Sequence, residues 1–120
     1  MVQEQKPVSE RRKYARLEAC VQVGYEVIGK PGAVEVSSKN ISEGGLCLIA
    51  SSQLLANTPL QLEIKIPDLN APIRALGRVI WQRPTAGKSE NEIETGIEFT
   101  GISDFDRFNI KRYIKDRIEA

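Results

Sequence analysis

The sequence predicts a mainly β fold: a six-stranded antiparallel β-barrel or curled sheet, with a C-terminal α-helix packed across it. Three observations carry this expectation. Apolar and polar residues alternate with a period of two through most of the stretch from Ala19 to Phe99. Clusters of Gly, Pro, Asn and Ser interrupt the alternation at short intervals, as antiparallel connections require. A helical period appears only at the end, after Ser103.

Taken in order, Met1 to Glu10 is polar and contains Pro7, so residues 1–10 read as a flexible tail and residues 11–120 as one domain. Ala19, Val21, Val23, Tyr25 and Val27 mark the inward face of a first strand. Gly29-Lys30-Pro31-Gly32 turns it into a second, Ala33 to Ile41. Ser42-Glu43-Gly44-Gly45 breaks the pattern before a third, Leu46 to Ile49. After Asn57-Thr58-Pro59, Leu60, Leu62, Ile64 and Ile66 face one way while Gln61, Glu63 and Lys65 face the other. A loop from Pro67 to Pro72 precedes a long fifth strand, Ile73 to Gln82. Pro84 to Glu92 is a polar loop, and Glu94 to Phe99 is the sixth strand. Ser103 then caps a helix with Asp104 and Asp106 in its first turn, where the helix dipole favours negative charge. Ile110, Ile114 and Ile118 form its buried stripe, with Tyr113 beside it. Phe105 and Phe108 are assigned to contacts with the barrel rim.

Composition narrows the function. A chain of 120 residues, 41% hydrophobic and 28% charged, can bury a core without staples. Seventeen basic and sixteen acidic residues leave a net charge of +1, against the strong basic excess of a general nucleic-acid binder. No histidine is present, which removes the commonest general base and the commonest metal ligand. No metal-ligand spacing, Ser–His or Cys–His pair or phosphate-cradling loop stands out, so no catalytic residue, metal or cofactor is assigned and no enzyme is expected. Cys20 and Cys47 lack CxxC spacing and read as small buried hydrophobes in a reducing compartment. With neither a signal-peptide core nor about 20 consecutive apolar residues, the expected location is cytoplasmic, without membrane insertion.

Two stretches carry chemistry. Arg11-Arg12-Lys13-Tyr14-Ala15-Arg16 places four cations in six residues. In an extended segment Arg12 and Arg16 share a side, about 13 Å apart at about 3.3 Å per residue. Arginine can fork a phosphate, grip guanine O6 and N7, or stack on a base. Asn40-Ile41-Ser42-Glu43-Gly44-Gly45 presents an amide and a hydroxyl on one strand face. Gly44 and Gly45 permit positive φ and close approach to the backbone, while Glu43 is assigned to solvent. Each stretch has a plainer reading, a solvated basic tail and a turn between strands. Together they describe a site for a flat anionic ligand bearing base edges and phosphates. Trp81 reads as packing before stacking platform, and Tyr14 either packs the arginine segment on the barrel or lies on the surface.

The order of these pieces resembles the PilZ family, whose pattern is R-x-x-x-R followed after a gap by [D/N]-x-S-x-x-G. Arg12 to Arg16 and Asn40 to Gly45 match every defined position. Gly77-Arg78-Val79-Ile80-Trp81, then Thr95-Gly96-Ile97-Glu98-Phe99, then the helix extend the resemblance from about residue 10 to the end. It implies a six-stranded barrel with a C-terminal helix and a receptor for the bacterial second messenger cyclic di-GMP. By the same resemblance Arg12 and Arg16 would bind guanines and phosphates. Asn40, Ser42, Gly44 and Gly45 would hold another edge, with Tyr14, Trp81 and Gly96 in support. Arg11 occupies the position that, in such relatives, accompanies two stacked ligand molecules. The arginine segment would fold over the ligand, and an unidentified downstream protein would read the reordered surface. The competing readings are a PilZ-like protein-interaction adaptor without nucleotide binding and, last, an oligonucleotide-binding barrel. The latter would need exposed strand aromatics in a basic groove, and the chain has seven aromatics in all.

Overall fold

The computed structural model describes residues 16–85 and 92–119. Its strands are β1 (Arg16–Glu18), β2 (Gln22–Val27), β3 (Val34–Ser42), β4 (Gly45–Ala50), β5 (Pro59–Lys65), β6 (Ile73–Pro84) and β7 (Ile93–Gly101), and a helix, α1 (Asp104–Glu119), follows. The predicted barrel is present. The ring runs β3-β2-β5-β6-β7-β4, and β4 returns to pair with β3, so six strands close on themselves in antiparallel pairs. The tail Met1 to Glu10 and most of the predicted loop after Pro84 lie outside the described residues.

The seventh strand, β1, continues the course of β2. It pairs with the far half of β3, Arg16 opposite Ser42 and Glu18 opposite Asn40, while β2 takes the near half from Ser37 to Val34. Between them the chain breaks its ladder around Cys20, and the Ser38 side chain splices the gap. Its hydroxyl accepts from the Val21 N–H at 3.0 Å and donates to the Ala19 carbonyl at 2.6 Å. Cys20 is thereby turned out to solvent, contrary to the buried position expected of it; Cys47 is buried, and both thiols are free.

The alternation reads out directly in the core. Leu60, Leu62, Ile64 and Ile66 are all buried, as are Val21, Val23 and Tyr25. Burying one such side chain contributes about 1.5–3 kcal/mol. Ser103 caps α1 as expected, accepting from the Asp106 N–H at 3.0 Å. Ile110 and Ile114 seat the helix on the core, and α1 lies against β1 and β3. Three expectations for the helix fail. Phe105 and Phe108 are 73% and 56% exposed and do not pack on the rim, and Ile118 is 57% exposed. At 100° per residue the two phenylalanines lie on the side of the helix away from Ile110 and Ile114. Ile118 falls in the last turn, past the part of the helix seated on the core.

Candidate functional site

Two register shifts aim the site. In β3 the inward residues include Ser38, and strict alternation would send Asn40 inward too. An irregularity between Ser38 and Asn40 leaves Lys39 unpaired, reverses the phase, and puts Ile41 in the core instead. In β6, Ile73, Ala75 and Val79 point inward and alternation would make Trp81 follow. A second shift between Val79 and Trp81 leaves Ile80 unpaired and turns Trp81 to the outer face. Asn40, Cys47, Gly96 and Trp81 then form one continuous row across β3, β4, β7 and β6. The neighbouring outer row is Arg16, Ser42, Gly45, Glu98 and Arg78.

These two rows line a cleft of about 200 Å³ that holds Arg16, Asn40, Ser42, Gly44, Gly45, Trp81 and Gly96. All seven come from the sequence-predicted set. Arg11, Arg12 and Tyr14 lie outside the described residues. Asn40 is 7% exposed, and among the described residues its side-chain amide has no hydrogen-bond partner. The amide atoms stay open to the cleft, where a donor and an acceptor are available to a ligand. Ser42 is engaged differently. Its hydroxyl donates to the Gly45 carbonyl at 3.2 Å and accepts from the Gly44 N–H at 3.2 Å, which holds the β3–β4 turn in shape. Glu43 at the turn is half-buried, not fully in solvent.

The glycines serve the site by a different route from the one expected. Among the described residues the positive-φ glycines are Gly29 and Gly32, so Gly44 and Gly45 do not take that conformation. At Gly45 a β-carbon would run into the Ile97 carbonyl oxygen of β7, and at Gly96 it would run into the Trp81 indole. Gly45 lets β4 pack closely on the β7 backbone, and Gly96 lets the indole lie against the sheet.

Sequence reasoning missed the bracing of Trp81. The Arg83 guanidinium lies 5.0 Å from the centre of its ring. Arg83 Nε in turn donates to Glu94 Oε1 at 3.0 Å, and Lys39 Nζ donates to Glu94 Oε2 at 2.9 Å. The nearly buried Glu94 carboxylate thus ties the bulged residue of β3 to the end of β6. The Lys39 hydrogen bond, with help from Arg83, holds Glu94 below the ordinary carboxylate range, and Glu94 raises Lys39. Burial pushes the nearby Cys47 thiol up, so it stays protonated at neutral pH. The only sequence signal for this network was the pair of charges flanking the motif and the tryptophan.

A larger groove, about 470 Å³, lies on the outer face of β2, β5 and β6. Its acidic side chains are already engaged: Glu26 with the Gly32 N–H, Glu35 with Lys65, and Glu63 with Arg74. The converging set of predicted residues singles out the smaller cleft. Among the described residues no group of potential metal ligands forms a cation site, and no helix is long and apolar enough to cross a membrane.

A model of the PilZ domain matches residues 10–116. No curated protein sequence matches the chain. Several solved structures share its fold. The Bacillus subtilis inhibitor of motility MotI/DgrA superposes with a TM-score of 0.78 at 21% identity, over 97% of this chain and 57% of that one. The PilZ domain of YcgR from Escherichia coli, solved with c-di-GMP, gives 0.72 at 14% identity, over 91% and 92%. The K. pneumonia MrkH–c-di-GMP complex gives 0.77 at 17% identity, over 91% and 53%. The chain therefore spans little more than half the length of the first and third of these proteins.

Proposed function

This chain belongs to the PilZ domain family, and from that premise we propose that it is a cytoplasmic receptor for cyclic di-GMP that signals to a partner protein and catalyses nothing. The observation that carries the reading is the convergence of Arg16, Asn40, Gly45, Gly96 and Trp81 on one cleft. Two fold neighbours solved with c-di-GMP support the choice of ligand. The unpartnered Asn40 amide offers a donor and an acceptor to a base edge. Arg16 offers a fork for guanine or phosphate. Trp81, seated over Gly96, walls one side of the cleft with an aromatic ring.

The cleft, at about 200 Å³, is smaller than the roughly 300–1,000 Å³ of pockets that enclose a whole ligand. It takes one edge of the ligand, and Arg11 and Arg12 close over the remainder from the N-terminal side. Arg11 adds the contact that admits a second stacked molecule. Because β1 carries Arg16 and touches α1, the helix is the element through which occupancy reaches a partner.

Titration calorimetry with cyclic di-GMP tests this. The wild type binds with a stoichiometry of two per chain, and Arg11→Ala lowers it to one. Arg16→Ala and Asn40→Ala each weaken binding by about 1–3 kcal/mol if a bidentate contact is lost, roughly five- to a hundredfold. Absence of heat with the wild type would leave the chain a protein-binding adaptor and end the receptor reading.

A further inference from the structure

The outward face of α1 is not used by the proposed ligand site. Along it stand Phe105 and Phe108, 73% and 56% exposed, followed by the exposed Arg112 and Lys115. At 100° per residue these four side chains fall within one stripe less than a quarter-turn wide, opposite the buried Ile110 and Ile114. Acidic and basic residues are interspersed along the helix as a whole, but the two cations of this stripe, Arg112 and Lys115, both lie C-terminal to its two phenylalanines.

We propose that this face pairs with its own copy, α1 against α1 in an antiparallel, two-fold symmetric dimer. The pattern is self-complementary in that orientation. With the two-fold near Ile110, Phe105 reaches the level of Lys115 of the second copy and Phe108 the level of Arg112. Each ring can then take a cation from the other chain. Antiparallel pairing also opposes the two helix dipoles. A parallel pairing would set like charges level and has none of these contacts. A membrane surface is the poorer occupant, because the helix carries five basic and four acidic residues and lacks the cationic excess that binds anionic lipid. An isologous patch uses the same residues twice, so two phenylalanines supply four rings to the interface. A single helix pair is small for an interface, so the dimer dissociates in the micromolar range.

Sedimentation equilibrium of the full chain from micromolar to millimolar concentration, without cyclic di-GMP, tests the proposal independently of the ligand reading. The wild type shows a monomer–dimer equilibrium. Phe108→Ser and, separately, Arg112→Glu each weaken it by about tenfold or more, as the loss of a central contact does. Both residues are exposed, and circular dichroism confirms that the variants keep their fold. A monomer across the whole range overturns the proposal, as does a dimer indifferent to both substitutions. Co-sedimentation of wild type, but not Phe105→Ser, with anionic phospholipid vesicles in place of self-association would also overturn it.

Discussion

Asn40 and Ser42 belong to one motif, yet their polar atoms meet different partners. The Asn40 amide faces the cleft unpartnered, while the Ser42 hydroxyl is committed to Gly44 and Gly45. Ser42→Ala therefore acts through the turn. We expect it to lower stability by about 0.5–1.5 kcal/mol per hydrogen bond lost, in a urea melt without ligand. Asn40→Ala should leave the same melt nearly unchanged. Glu94 gives a pH signature. Its carboxylate is held below the ordinary value of 4.5 by Lys39 and Arg83. Its contribution is complete above that value and is lost as pH falls through the lower folded value. Acid unfolding monitored below pH ~4.5 should show a smaller stability loss in Glu94→Gln than in the wild type. At this scale the motif residues were legible, because amide, hydroxyl, glycine and guanidinium are each chosen for a chemistry. Glu94 and Lys39 were not, since an isolated Glu or Lys in sequence looks like any solvated charge. Their meaning comes from strands 55 residues apart meeting side by side.

Among the elements, the strands were legible from period two, and their phase was not. Alternation predicts that Asn40 continues the inward set of Ser38, and Trp81 that of Val79. One unpaired residue in each strand reverses this, and nothing in Lys39 or Ile80 announces a bulge. The Asn reads as a site residue from its amide chemistry and its spacing to Ser42, the Trp only in support through motif resemblance; the aim of both depends on the bulges. Deleting Ile80 should return Trp81 toward the core and shift the emission of this single tryptophan, measured in the free protein. Gly45→Ala tests the packing of β4 on β7. With the Ile97 carbonyl in the way, it should cost about 1–3 kcal/mol in denaturant unfolding. The helix shows the complementary error. Its cap and buried stripe followed from spacing, whereas Phe105 and Phe108 were assigned to packing because aromatic residues usually pack. Exposure depends on which side of the helix meets the barrel, and only the docked structure gives that.

For the molecule as a whole, the barrel brings residues from β1, β3, β4, β6 and β7 to one cleft, so ligand binding and global stability are linked. A saturating ligand at about 100 times its dissociation constant adds about 2.7 kcal/mol, seen as a rise in melting temperature that Arg16→Ala diminishes. The barrel class was legible because short strands and frequent turns leave few other ways to bury the apolar faces. Its closure was not, since the β3–β4 pairing joins strands that any open sheet could also make neighbours. The splice at Ser38 has a consequence for how the barrel comes apart. The regular ladder is interrupted at Cys20 between β1 and β2: the Ala19 N–H bonds the Lys39 carbonyl on one side, the Ser38 N–H bonds the Val21 carbonyl on the other, and the Ser38 hydroxyl bridges the two. The barrel therefore has a seam, and β1 is a separate opening unit along it. Amide exchange should be faster at Leu17 and Glu18 than at Val23 and Tyr25. Ser38→Ala should widen that difference, so the chain can release the Arg16 segment while the rest of the ring stays shut.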